Sequence, residues 1–272
     1  MRIWCVSIAL AALAVSSGCS DDSGGDGSGA AGASGSGAAG SGASGATGGA
    51  ASGGEGGDGG EPECEVDTRY DPEIAPLDFQ NVVDNDLFPL VPGTVFVYEA
   101  DEETIEITVT PDTKVILGVT CTVVHDQARI GAEVIEDTFD WYAQDNDGNV
   151  WYMGEDTKEY SNGQVVSTEG SWEAGVDGAK PGIVIPGMPV VGMKYRQEYY
   201  ACHAEDMGEV LELDASVEVP FGSFTGCLKT KDTTPLEPDV LEEKYYCPGV
   251  GNVLSVDVES GDREELTSKT DP

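Results

Sequence analysis

Asp137 to Thr157 reads DTFDWYAQDNDGNVWYMGEDT, and two readings compete for it. Asp145, Asp147, Gly148 and Asn149 have the look of a calcium loop, which would sit between helices. The flanking pairs Trp141-Tyr142 and Trp151-Tyr152 have the look of facing strands. A helix-flanked calcium loop takes acids at its first, third and fifth positions, Gly at the sixth and Glu at the twelfth. A start at Asp145 puts Val150 where Gly is required. A start at Ala143 places Gly148 correctly but leaves Ala at the first position and Gly154 at the twelfth. Both registers fail. A type I turn through Asn146-Asp147, with Gly148 in the left-handed conformation, accounts for every residue. Cross-strand aromatic pairs then add about 0.5–1 kcal/mol each. The stretch is read as a β-hairpin, and the fold follows from it.

Outward from that hairpin, the chain is a succession of short strands. In TIEITVT (104–110), Ile105, Ile107 and Val109 alternate with Glu106, Thr108 and Thr110, the period of a half-buried strand. TVFVYEA (94–100) precedes it across the turn at Asp101. Further strands are predicted in KVILGVTCTVVHD, NVWYMGED, KEYSNGQVVSTEG with its Asn162-Gly163 turn, KYRQEYYACHA, EVLELDASVEVP, GCLKTKD, EEKYYCPG and NVLSVDVESG. A 3.6-residue period is never sustained. The predicted fold class is all-β: a single antiparallel meander, either a barrel or a strongly curved sheet, after a disordered linker.

Residues 1–18 are predicted to be a signal peptide: Met1-Arg2, an apolar run from Ile3 to Val15, then small residues. The ending Ser16-Ser17-Gly18-Cys19 resembles the lipobox of bacterial lipoproteins, and the resemblance implies lipidation of Cys19; an ordinary secretory signal is the alternative. Residues 19–63 form a Gly/Ser/Ala-rich linker, which cannot bury enough apolar surface to offset its ordering entropy. Residues 64–272 are predicted to be the folded, acidic domain. The predicted protein is an extracytoplasmic, monomeric lipoprotein, held to the outer membrane or cell surface by its lipid.

The formal net charge is −38, from 51 Asp and Glu against 13 Lys and Arg. Eight of the acids lie in residues 19–65, so residues 66–272 carry 43 acids against 12 basic residues. Such a surface lacks the basic footprint that nucleic acid requires. The same acidity reads either as a solvated coat or as a capacity for divalent cations such as Ca2+.

Of seven cysteines, Cys5 and Cys19 belong to the signal and the lipid site, leaving Cys64, Cys121, Cys202, Cys227 and Cys247. In an exported chain these are disulfide candidates first. A hairpin centred on Glu237 sets residues whose numbers sum to 474 opposite one another, which pairs Cys227 with Cys247. Elimination suggests Cys121 with Cys202, with Cys64 left over. No zinc spacing occurs.

FPLVPGTVFVYE, EDTFDWYAQDNDGNVWYMGEDTKEY and EGSWEAGVDGAKPGIV together resemble a family of uncharacterised bacterial secreted and lipoprotein β-domains, over Asn85 to Leu266. The resemblance implies no particular activity. VPFGSFTGCLKTKD with EEKYYCPGVGNV resembles a wider module of exported bacterial proteins with curved, LolA-like sheets. That likeness implies a concave face able to hold an apolar ligand.

Candidate sites follow from residue type. Asp137, Asp140, Glu155 and Asp156, at the base of the opening hairpin, are candidate metal ligands for Ca2+. His203 and Met207, with His125 or Met193, have the softness for copper but no fixed geometry. Trp141 and Trp172 are candidate walls of a ligand pocket under the Gly/Pro-rich segment GSWEAGVDGAKPGIVIPGMPVVG. No nucleophile elbow or triad spacing is present, so no catalytic role is expected; a buried carboxylate pair of raised pKa would reopen that question.

Overall fold

The computed structural model describes residues 66–272; the predicted signal peptide, Cys19 and the linker lie outside these residues. A 3-10 turn (Pro76–Asp78) precedes fifteen strands. They are β1 (Val95–Ala100), β2 (Glu103–Ile116), β3 (Val119–Ile130), β4 (Glu133–Gln144), β5 (Val150–Ser161), β6 (Gln164–Ser167), β7 (Trp172–Glu173) and β8 (Lys180–Ile185), followed by β9 (Lys194–Arg196), β10 (Glu198–Tyr199), β11 (Met207–Val219), β12 (Gly222–Thr234), β13 (Glu237–Cys247), β14 (Gly251–Asp257) and β15 (Arg263–Thr270).

Consecutive hairpins order β5-β4-β3-β2-β1 on one side and β14-β13-β12-β11 on the other, and β15 joins the halves by pairing with both β1 and β14. All the pairings are antiparallel. The sheet does not close into a barrel. Its two ends, β9 and β10, are nonetheless consecutive pieces of chain separated by Gln197 alone.

Local chemistry places the turns. Gly148 takes φ 84° in the turn between β4 and β5, and the Gly148 N–H donates to Asp145 O at 3.1 Å. The Asp145 carboxylate accepts from the N–H groups of Asp147 and Asn149, from Asn149 Nδ2 and from Trp151 Nε1. Those four bonds engage the acid that gave the stretch its calcium-loop look. Asn162-Gly163, with φ 52° and 71°, turns β5 into β6.

β12 and β13 pair in the register 228–246 through 233–241. The tip is at Pro235-Leu236, and a bulge before Leu241 restores the alignment. Cys227 and Cys247 are disulfide-bonded with Cα atoms 4.2 Å apart. The pairing of Cys121 with Cys202 is not formed. Cys121 is a buried free thiol, pushed up to about 12 by burial, whereas Cys202 has another disulfide partner. Cys202 sits in the turn Tyr200–Ala204 with φ 63°, so the strand expected through YYACHA stops at Tyr199.

The inner face of the curved sheet is unusual. It carries buried apolar and aromatic side chains, among them Phe96, Tyr98, Ile105, Tyr142, Tyr152, Leu228, Tyr246 and Leu266. It also carries buried acids. Eleven Asp and Glu side chains are buried among the described residues, against one buried cation, Lys244. The segment before β1 lies over one end. Asp84 and Asn85 N–H groups donate to Gln144 Oε1, Phe88 meets Tyr142 edge-on at 5.2 Å, and Gly249 N–H donates to Asp86 O.

Candidate functional site: an acidic cavity inside the sheet

On β4 the residues Glu136, Thr138, Asp140 and Tyr142 share the inner face, and on β5 so do Tyr152, Glu155 and Thr157. Asp140 stands opposite Glu155 in the ladder. Tyr152 O–H donates to Asp140 Oδ1 at 2.6 Å, Thr157 Oγ1 donates to Glu155 Oε2 at 2.8 Å, and Thr138 Oγ1 donates to Glu136 Oε1 at 3.0 Å. On β3 the neighbouring Asp126 faces the same interior. Its Oδ1 has no hydrogen-bond partner, and neither has Glu155 Oε1.

Burial dominates the electrostatics. It pushes Asp140 up to about 7, against the lowering effect of the Tyr152 hydroxyl. Asp126 and Glu155 are also raised well above the usual carboxylate range, first by burial and then by Asp140 beside them. Lys244, the buried ammonium, lies 3.2 Å from both Asp232 and Glu242. Burial alone would discharge it, and those two carboxylates overcome that and hold it charged.

Beside these acids is a cavity of about 60 Å³. Partly exposed Phe88, Pro89, Ile107, Val250 and Asn252 form its rim. Its depth is lined by Leu90, Phe96, Tyr98, Val124, Tyr142 and Tyr246, with Asp126, Asp140 and Lys244 as the charged groups.

The residues singled out from sequence fall in different places. Of the four candidate metal ligands, Asp140 and Glu155 face inward, while Asp137 and Asp156 face outward. Asp137 accepts from Gln127 Nε2 at 2.8 Å and lies 2.6 Å from His125 Nε2, and Asp156 pairs with Lys158. The period of two on a strand separates them. No group of three or more His, Cys, Asp or Glu able to hold a metal occurs among the described residues. Neither Trp141 nor Trp172 lines the cavity. Trp141 carries Lys114 Nζ 3.1 Å above its ring, and Trp172 donates to Glu198 Oε2 while packing edge-on against Tyr152. His203 stacks on Tyr200 in the turn before β11, so it shares no strand face with Met207. Of the residues that line the cavity only Asp140 was singled out from sequence; Asp126, Lys244, Tyr98, Tyr142 and Tyr246 are among those that sequence reasoning missed. The signal available was the spacing Glu242-Lys244-Tyr246, alternate residues of one strand.

No protein-family model matches the chain, and no curated protein does. Two solved structures resemble it. One is a Bacteroides fragilis protein classed as exported, with a YmcC-like fold: TM-score 0.40, 13% identity, covering 68% of this chain and 98% of that one. The other is a Parabacteroides distasonis protein classed as a lipoprotein: TM-score 0.39, 12% identity, covering 68% and 99%. Neither likeness is high enough to carry a role from one protein to the other.

Proposed function

We propose that the domain is a non-catalytic binding module of an exported, lipid-anchored protein, and that its ligand enters the cavity beneath Phe88 and Val250. The cavity itself supports this reading: a concave, mostly apolar and aromatic space with a few convergent charged groups is the usual form of a small-molecule site. At about 10–15 Å³ per water-sized group, 60 Å³ accepts roughly four to six such groups. The ligand is therefore a small molecule, or the end of a larger one whose remainder extends past the rim. Anchoring at Cys19 would hold such a module outside the cytoplasm, which agrees with the disulfide between Cys227 and Cys247.

A hydrolytic reading has one observation in its favour, since Asp140 and Glu155 are opposed, buried and raised in pKa. Only Asp140 reaches the cavity. A hexose ring with its hydroxyls also needs about twice the space available, on the same volume per group. Binding fits the geometry better.

Val250→Trp places an indole across the rim. Small molecules extracted from the purified protein by denaturation and identified by mass spectrometry should include one at near-equal molar amount from wild type and absent from Val250→Trp. Equal recovery from both proteins would refute the cavity as the site.

A further inference from the structure

We propose that the ligand's buried end is an organic ammonium, seated against Asp126 and Asp140 and enclosed by the rings of Phe88, Tyr142 and Tyr246. The inference rests on the cavity being the binding site and assigns the chemistry it selects.

Three observations converge on it. Asp126 is 3% exposed, lines the cavity, and has an oxygen with no hydrogen-bond partner. An acceptor left unpaired in a buried site costs far more than one that is paired, so a donor from the ligand is the group the site lacks. Secondly, the lining charges favour a cation. Asp126 and Asp140 are the carboxyl groups that line the cavity, and the ammonium there, Lys244, already lies between Asp232 and Glu242. Once Asp140 is ionised, a positive ligand group gains an attraction that a neutral one does not. Thirdly, the walls are aromatic. Phe88 meets Tyr142 at 5.2 Å and Tyr246 at 6.3 Å between ring centroids, and ring faces attract a desolvated ammonium.

A divalent metal fits less well. Calcium takes six to eight oxygen ligands at about 2.3–2.6 Å, and no three acidic groups among the described residues come together to supply them. An ammonium needs only two or three acceptors and tolerates apolar walls along its carbon chain. The cavity volume suits a short alkylammonium or the terminal amine of a longer molecule.

The test uses n-butylammonium and 1-butanol, which match in size and shape and differ in charge. Binding to the intact protein is followed through the ring resonances of Tyr142 and Tyr246, above the value of about 7 at which Asp140 ionises. The ammonium should bind roughly tenfold tighter than the alcohol. Asp140→Asn keeps the shape, removes the charge present at that pH, and should bring the two within about twofold. Val250→Trp should abolish both. Butanol binding as tightly as butylammonium to the wild type overturns the ammonium assignment and leaves the cavity as the site. Binding of either probe unaffected by Val250→Trp, or binding of neither, overturns both. Calcium displacing butylammonium at an ionic strength where sodium does not would replace the ammonium with a metal.

Discussion

At the scale of single residues, the carboxylates divide by what they touch. Asp145 is engaged by its own turn: it accepts two main-chain N–H groups, the Asn149 amide and the Trp151 indole. Asp145→Ala removes all four bonds and should destabilise the domain by about 2 kcal/mol, read from denaturant unfolding; an unchanged midpoint would mean water replaces the carboxylate. Asp140 is the opposite case, an acid held inside with its folded pKa raised to about 7. The unfolded chain releases that proton near pH 4, so between about 4 and 7 the folded state binds more proton than the unfolded one. Stability conferred by the protonated group is full below about 4 and declines as pH rises to 7. Asp140→Asn has no proton to lose. Its stability relative to wild type should rise by roughly 1.4 kcal/mol per pH unit through that window and level off above it. Melting curves of both proteins across the range would show the gap, and a constant difference would refute it.

At the scale of elements, hairpins carry the fold, and their tips and registers have separable causes. The β4–β5 hairpin depends on Gly148 in the left-handed region and on the stacked Tyr142–Tyr152 pair, 5.0 Å between centroids. The β12–β13 hairpin depends on its disulfide, which spans a sequence separation of 20. Replacing both Cys227 and Cys247 with Ser should cost about 2–4 kcal/mol while leaving the fold intact, because the register 228–246 to 233–241 is held by the ladder as well. A melting midpoint that does not move would show that the ladder alone fixes the hairpin. Chain order made these neighbours legible. The tip at Pro235-Leu236 was not, because several turn formers between Pro235 and Asp239 compete and the bulge allows two tips for one register.

At the scale of the whole molecule, the interior charge sets the response to pH. Asp206 and Glu264, like Asp140, are raised by burial, both to about 8, and Asp126, Glu155 and Glu198 are raised as well. Every one of these shifts has the same sign, so stability should fall continuously from mildly acidic pH toward about 8. Asp67, held well below the usual carboxylate range by Arg69, acts oppositely and only at lower pH. The domain should therefore melt highest near pH 5 and progressively lower toward pH 8, in scans at fixed ionic strength. A midpoint rising over that interval would mean that the interior acids are ionised and compensated in the folded state.

The sequence alone determined the strand class, the turn at Gly148, the Asn162-Gly163 turn and the register sum that aligns residues 228–233 with their partners, because period and turn chemistry are local. It did not determine which face of each strand turns inward. In Glu136 to Tyr142 one parity carries Glu, Thr, Asp and Tyr, and the other carries Asp, Phe and Trp, so hydrophobicity points to Phe139 and Trp141. The fold turns Asp140 in, because Tyr152 on the next strand offers a donor there, while Lys114 and His125 cover Trp141 and Phe139 outside. Those partners lie on other strands, so only the tertiary structure could bring them together. The acidic cavity exists for the same reason.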